Sequence, residues 1–146
     1  MKGDESAVVS RLVQQAGVLP FRWKGKKLQF CLITSRRAGR WTLPKGTIEA
    51  KETHGECAEC EAVEEAGLRG EILQPELGSF LGHRGKRKSQ VLLMLMRVQR
   101  CSSNWPEKKK RTRRWFTAKK AIKRIGRDEI TELIRLGIKR IGRRKG

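Results

Sequence analysis

Gly46-Thr-Ile-Glu49-Ala-Lys-Glu52-Thr53-His-Gly-Glu56-Cys57-Ala-Glu59-Cys60-Glu61-Ala-Val-Glu64-Glu65-Ala-Gly67-Leu68 is the stretch that decides how this chain is read. Its 23 residues hold seven of the fifteen acidic residues and one lysine, a net of −6. The whole chain is +20, so everything outside the stretch sums to +26. A carboxylate cluster inside a cationic frame is suited to hold a cation and to draw an anion towards it.

Thr53 to Ala66 predicts a helix, because Glu and Ala run throughout, Pro is absent and Gly67 stands where a helix ends. At about 100° per residue, Glu61, Glu64 and Glu65 share one face, and Ala58, Ala62 and Ala66 form another that is small enough to lie close against a sheet. Three carboxylates at i, i+3 and i+4 repel, at roughly 0.2–0.5 kcal/mol per pair, unless a divalent cation sits between them. Oxygen ligands without a histidine favour Mg²⁺ or Mn²⁺ over Zn²⁺. The plainer alternative is a solvated acidic face. Against it stand a Lys45-Gly46 loop placed to fold back on the helix, Glu52 at the loop–helix junction, and the anion-binding candidates Arg36, Arg37, Arg40 and Lys45. Together they suit metal-assisted attack on a phosphoanhydride.

The flanking sequence supplies a frame. Ala16–Trp23 and Leu28–Thr34 read as a hairpin, Trp41–Pro44 as a short extended piece, and Lys45–Lys51 as a loop. Glu71–Phe80 and Gln90–Gln99 read as strands, with Val91–Val98 a central one covered on both faces. Gly82–Lys88 between them reads as a basic loop, Arg113–Thr117 as a short strand, and Ala118 to Arg140 as helix divided at Gly126. The order β-β-α-β-β-β-α predicts an α+β fold, a mixed sheet between helices. At 146 residues, one domain spanning 1–146 is expected, with residues 1–14 frayed and 141–146 a basic tail. No apolar run is long enough for a bilayer and no signal-peptide pattern opens the chain, so the expectation is a cytoplasmic protein with no membrane partner, a monomer or homodimer. Four cysteines do not read as a disulfide framework, and the Cys57–Cys60 pair lacks partners for a zinc site.

The register resembles the box of the Nudix hydrolases, written as Gly, five residues, Glu, seven residues, Arg-Glu-U-x-Glu-Glu-x-Gly-U, with U a bulky aliphatic. Gly46, Glu52, Glu61, Glu64, Glu65 and Gly67 all fall in place, and Arg40–Gly46 and Arg114–Phe116 are similar to the family as well. The resemblance covers about residues 16–140. Two positions depart from it. Cys60 stands where the family has an Arg that orients and charge-balances the neighbouring glutamate, and Ala62 replaces a larger aliphatic.

The resemblance implies hydrolysis of a nucleoside diphosphate linked to a moiety X. Glu61, Glu64 and Glu65 would bind Mg²⁺ (or Mn²⁺) with the carbonyl of Lys45, and Glu52 would support the loop or reach metal through water. The general base is left among Glu61, Glu65 and a later glutamate, Glu107, Glu76 or Glu71, with Glu107 the favoured late acid. Trp41–Gly46 looks like the branch acting on dinucleoside polyphosphates and diphosphoinositol polyphosphates. There Arg36, Arg40, Lys45, Arg84, Lys86, Arg87 and Arg113 would bind phosphate. The absence of Tyr tilts the expectation towards a phosphate-dense substrate over one recognised by its base. The competing classes are a nucleic-acid binder or RNA 5′-pyrophosphohydrolase, suggested by Lys108–Arg114 and Lys139–Lys145, and a domain weakened by Cys60.

Overall fold

Leu93, Met94, Leu95 and Met96 are four consecutive residues, all buried. A strand achieves this only when both of its faces are covered. The computed structural model describes residues 11–142. Its elements are β1 (Val13–Lys24), β2 (Lys27–Thr34), β3 (Trp41–Thr42), β4 (Lys45–Thr47), α1 (His54–Ala66), β5 (Leu68–Arg84), β6 (Arg87–Cys101), β7 (Arg113–Thr117), α2 (Ala118–Ile125) and α3 (Asp128–Ile141). The sheet order is β3-β2-β1-β6-β5, with β4 on β1 and β7 on β2. β1 runs parallel to β6 from Val13 to Phe21, and every other pairing is antiparallel.

Alternation along β6 divides the interior. Leu93 and Leu95 join Leu19, Phe21, Phe30, Leu32, Ile130 and Ile134 under α2 and α3. Met94 and Met96 join Ala16, Val18, Ile33, Ala58, Ala62 and Ala66 under α1. The result is the expected α/β/α layering around a mixed sheet. The alanine stripe of α1 is fully buried, so the helix backbone lies close to the strands and its glutamates are held at a fixed height above them.

Several boundaries differ from expectation. Val13 and Gln14, placed in the frayed segment, belong to β1 and pair with Ser89 and Gln90. Residues 1–10 of that segment and tail residues 143–146 lie outside the described residues. Lys45–Thr47, read as loop, is β4 against Gln15–Gly17. Glycine permits this close pairing, since a Cβ on Gly17 would lie 2.5 Å from the Pro44 carbonyl. Gly82–Lys88 is not a loop either. His83 pairs with Lys88 and Arg84 with Arg87, leaving only Gly85 and Lys86 in the turn. Four cationic side chains give this stretch no apolar alternation, but both strand backbones are paired and Gly85 takes the left-handed φ of 61° that a tight turn needs. The split at Gly126 (φ 62°) falls where the sequence places it.

Candidate active site

Both ends of α1 are tied down. Thr53 caps its start, its hydroxyl accepting from Glu56 N at 3.1 Å while Glu56 Oε1 accepts from Thr53 N at 2.9 Å. A reciprocal cap of this kind contributes about 1 kcal/mol. At the other end Gly67 turns left-handed (φ 65°). The last carbonyls then go to the segment between β6 and β7. Glu64 O accepts from Glu107 N (3.1 Å), Glu65 O from the Trp105 indole (3.1 Å) and Ala66 O from Arg113 (2.7 Å). No basic residue lies in the last turn of α1, so Arg113 supplies the positive charge that a helix C-terminus favours.

The helix thus fixed presents its carboxylates to β4. Glu61 lies directly over Gly46, where any Cβ would come within 2.2 Å of the Glu61 carboxyl carbon. The glycine of the motif is therefore the floor on which Glu61 rests. Lys45 N donates to Glu65 Oε1 at 3.0 Å. Val18 N–Pro44 O and Ile48 N–Gln14 O bonds put Lys45 at a non-hydrogen-bonded position of the β1–β4 ladder, so its carbonyl also faces away from β1. Burial pushes Glu61 up to about 8, helped by the charges of Glu65, Glu64, Glu107 and Glu52. Burial likewise raises Glu65 to about 7, although Arg111 and the Lys45 amide pull it down. A carboxylate raised by its neighbouring carboxylates in this way marks negative charge in want of a cation.

These groups line a cleft of about 630 Å³. Its other walls carry Arg36 and Arg37 from the loop after β2, Lys45, Arg84 from the hairpin tip, Arg111, and Arg127 from the α2–α3 junction. Lys45 Nζ reaches Gln15 Oε1 (3.1 Å) and His83 O (3.3 Å), and burial lowers its pKa. Arg111 is the most engaged. It donates to Glu65 (3.0 Å), Glu107 (2.8 Å) and Thr34 O (3.1 Å), and all three charged side chains are largely buried. Arg127 bonds Leu81 O (2.6 Å), pairs with Glu129 and lies 5.5 Å from the Phe80 ring.

Of the residues predicted for the site, Glu61, Glu65, Lys45, Arg36 and Arg84 meet in this cleft. Glu64 is exposed on α1 and does not line it. Glu52 Oε1 accepts from Glu49 N (3.0 Å) and so closes the loop before the helix. Arg40 braces the 35–40 loop through its backbone, and Lys86 and Arg87 point elsewhere at the hairpin. Arg113, grouped with the phosphate-binding cations, instead caps α1 and lies 4.1 Å from the Trp105 ring. Among the late acids, Glu107 is held by Arg111, Glu71 pairs with Arg97, and Glu76 does not line the cleft. Arg37, an anion-binding candidate by sequence, also lines the cleft, whereas Arg111 and Arg127 are additions that the sequence reading does not supply. Nothing local distinguishes Arg111 within Lys108–Arg114, and Arg127 carries no signal beyond following Gly126. Among the described residues no three His, Cys, Asp or Glu side chains surround a single point in these rotamers.

The model of the NUDIX domain matches residues 12–135, which takes in the sheet, α1, α2 and most of α3. The chain belongs to the Nudix family. Among similar proteins, Nudix hydrolase 16, mitochondrial, of Arabidopsis thaliana is 36% identical over 77% of this chain and 71% of its own length. Diphosphoinositol polyphosphate phosphohydrolase 3-beta of Homo sapiens is 30% identical over 75% of this chain and 67% of its own. This Nudix chain spans from about half to about seven-tenths of the length of such relatives. A crystal structure of a C. elegans Ap4A hydrolase superposes with a TM-score of 0.74, covering 90% of this chain and 99% of the other at 23% identity, a likeness of fold. Cys60, at the arginine position of the Nudix box, is exposed, and the side chains that act most strongly on Glu61 are all carboxylates. The cation from a neighbouring loop is Arg111, and it serves Glu65.

Proposed function

We propose that this Nudix protein is a Mg²⁺-dependent pyrophosphohydrolase of phosphate-dense substrates, with diphosphoinositol polyphosphates first and dinucleoside polyphosphates second. One observation carries the choice. Six cations line the cleft, yet among the described residues its only phenyl or indole ring is Phe80, itself buried. Trp41 packs edge-on to Phe116, Trp115 lies under Arg22 and Trp105 binds the end of α1. A substrate read by phosphate suits such a lining better than one read by a base.

The donor set fits a hard divalent ion, since it consists of the Glu61 and Glu65 carboxylates and the outward-facing Lys45 carbonyl, with Glu64 one helical turn from Glu61. When bound, the ion would neutralise phosphoanhydride charge and make the attacking water more acidic. The remaining work belongs to the chain. Arg36, Arg37, Arg84 and Arg127 hold the peripheral phosphates, and the clamp on α1 keeps Glu61 in place above Gly46. Glu61 takes the proton of the water as its oxygen bonds to phosphorus, and the bridging oxygen leaves with the second phosphate. Glu61 is the chosen base because it rests unpaired by arginine, whereas Glu65 and Glu107 are both bound to Arg111.

The test is a substrate panel with Mg²⁺, comprising a diphosphoinositol polyphosphate, diadenosine polyphosphates, ADP-ribose and 5′-triphosphate RNA. A chelator control and Glu61→Gln run alongside. The diphosphoinositol polyphosphate is expected to turn over fastest, and chelator or Glu61→Gln to abolish turnover. Faster cleavage of ADP-ribose or triphosphate RNA would overturn the substrate class, and turnover that survives chelation would overturn the chemistry.

A further inference from the structure

The cleft does not absorb the chain's positive charge. At the opposite end of the sheet the β1–β2 hairpin carries Lys24, Lys26 and Lys27, with Lys24 opposite Lys27. Next to β1, β6 places Arg97 opposite Phe21, and Arg100 opposite Arg69 of β5. On the other flank Gln29 of β2 pairs with Thr117 of β7, so the first turn of α2 brings Lys119 and Lys120 beside the hairpin. Arg22 joins them, bonded to Gln29 (2.9 Å) and stacked 4.0 Å from the Trp115 ring. Against these nine cations stands one acid, Glu71, paired with Arg97 at 2.7 Å. The remaining described acids lie on or before α1, at Glu76 and Glu107, and on α3.

We propose that this end is a binding surface for a single nucleic-acid strand, separate from the cleft and independent of its reading as a hydrolase. Like charges facing one another across paired strands destabilise a sheet, and little within the chain offsets them here; a phosphodiester backbone does. From β5 through β6, β1 and β2 to β7 there are four strand spacings of about 4.8 Å, a row of roughly 20 Å. Trp115, half-buried and stacked with Arg22, provides a ring beside the cations, the pairing used to hold unpaired bases. An anionic membrane fits less well. The only exposed large apolar side chain among the described residues is Leu81, on β5 towards the cleft end, which leaves this end without an anchor for a bilayer.

Fluorescence anisotropy on the full chain tests the surface, with labelled single-stranded RNA of about twelve nucleotides and DNA of the same sequence, across a salt series. Each lost phosphate contact removes about 0.7 from the slope of log affinity against log salt, or roughly fivefold in affinity at about 0.1 M salt. Combined Lys24→Gln, Lys26→Gln and Lys27→Gln is therefore expected to weaken binding roughly 100-fold and flatten the slope by about 2. Combined Lys86→Gln, Arg87→Gln and Lys88→Gln removes the same charge near the cleft and is expected to cost no more than about fivefold. Equal losses in the two variants would overturn the surface, because binding would then follow net charge alone. So would tighter, hairpin-dependent binding to vesicles of roughly one-third phosphatidylserine, which would assign the patch to a membrane. Circular dichroism and melting confirm that both variants fold, and a preference between RNA and DNA would identify the natural strand.

Discussion

Glu61 and Glu65 enter the cleft from one helix, whereas the cations opposite them come from separate segments: the loop after β2, β4, the β5–β6 hairpin, the segment before β7 and the α2–α3 junction. The acidic wall is one rigid body with its two ends capped. The basic wall is an assembly whose parts meet only once the sheet has formed. The difference separates two jobs. A single helix can hold reacting groups in place to within a fraction of an ångström, as bond cleavage requires. Independent loops can match a spread of phosphates, each adding affinity without touching the reacting bond.

Substitutions should respect that division. Glu61→Gln on the acidic wall is expected to lower kcat about 10³-fold or more with the melting temperature maintained. A loss confined to KM would collapse the distinction between the walls. Gly46→Ala leaves every functional group intact but places a methyl in the space of the Glu61 carboxyl. It should lower kcat about 100-fold, since a misplacement of an ångström has that effect, and a crystal structure should show Glu61 displaced. Arg111 joins the two walls. Arg111→Ala leaves Glu65 and Glu107 without their buried partner and is expected to cost about 3–5 kcal/mol in urea unfolding, with Arg111→Lys recovering only part. On the basic wall, Arg36→Ala or Arg127→Ala should raise KM about tenfold with kcat nearly unchanged in steady-state assays.

The same division governs what was legible in the chain. Gly46 to Leu68 could be placed because its functional groups are spaced by helix geometry within one segment, and the burial of Ala58, Ala62 and Ala66 follows from the same spacing. The apolar Val91–Val98 run announced a strand covered on both faces. Lys45-Gly46-Thr47 carries no alternation, so β4 became visible only through its pairing with β1. Arg111 and Arg113 are two residues apart in one basic run. One faces Glu65 and the other the carbonyl of Ala66, a distinction made entirely by tertiary contacts. For the same reason the hairpin at Gly85 reads as a charged loop until its backbone partners are known.

The acidic wall also has a pH signature. Glu61 and Glu65 titrate near 8 and 7 in the metal-free fold, above the ordinary value of 4.5. The folded state therefore holds protons that the unfolded chain releases. Their contribution to stability is complete below pH 4.5 and is lost as pH rises through 7 and 8. Chelator-treated protein should thus melt at progressively lower temperature between those limits, and Mg²⁺ should restore more stability at the alkaline end than at the acid end.

Proton release on metal binding tests the central claim, that Glu61 and Glu65 form a cation site above Gly46. Titration calorimetry with Mn²⁺, which binds the same oxygen set more tightly than Mg²⁺, in two buffers of different ionisation enthalpy counts the protons displaced. At pH 7, carboxylates titrating near 8 and 7 should together give up roughly 1.4 protons per ion bound. Glu61→Gln should release markedly less and bind more weakly. Binding without proton release, or release undiminished in Glu61→Gln, would contradict the account by placing the ion elsewhere.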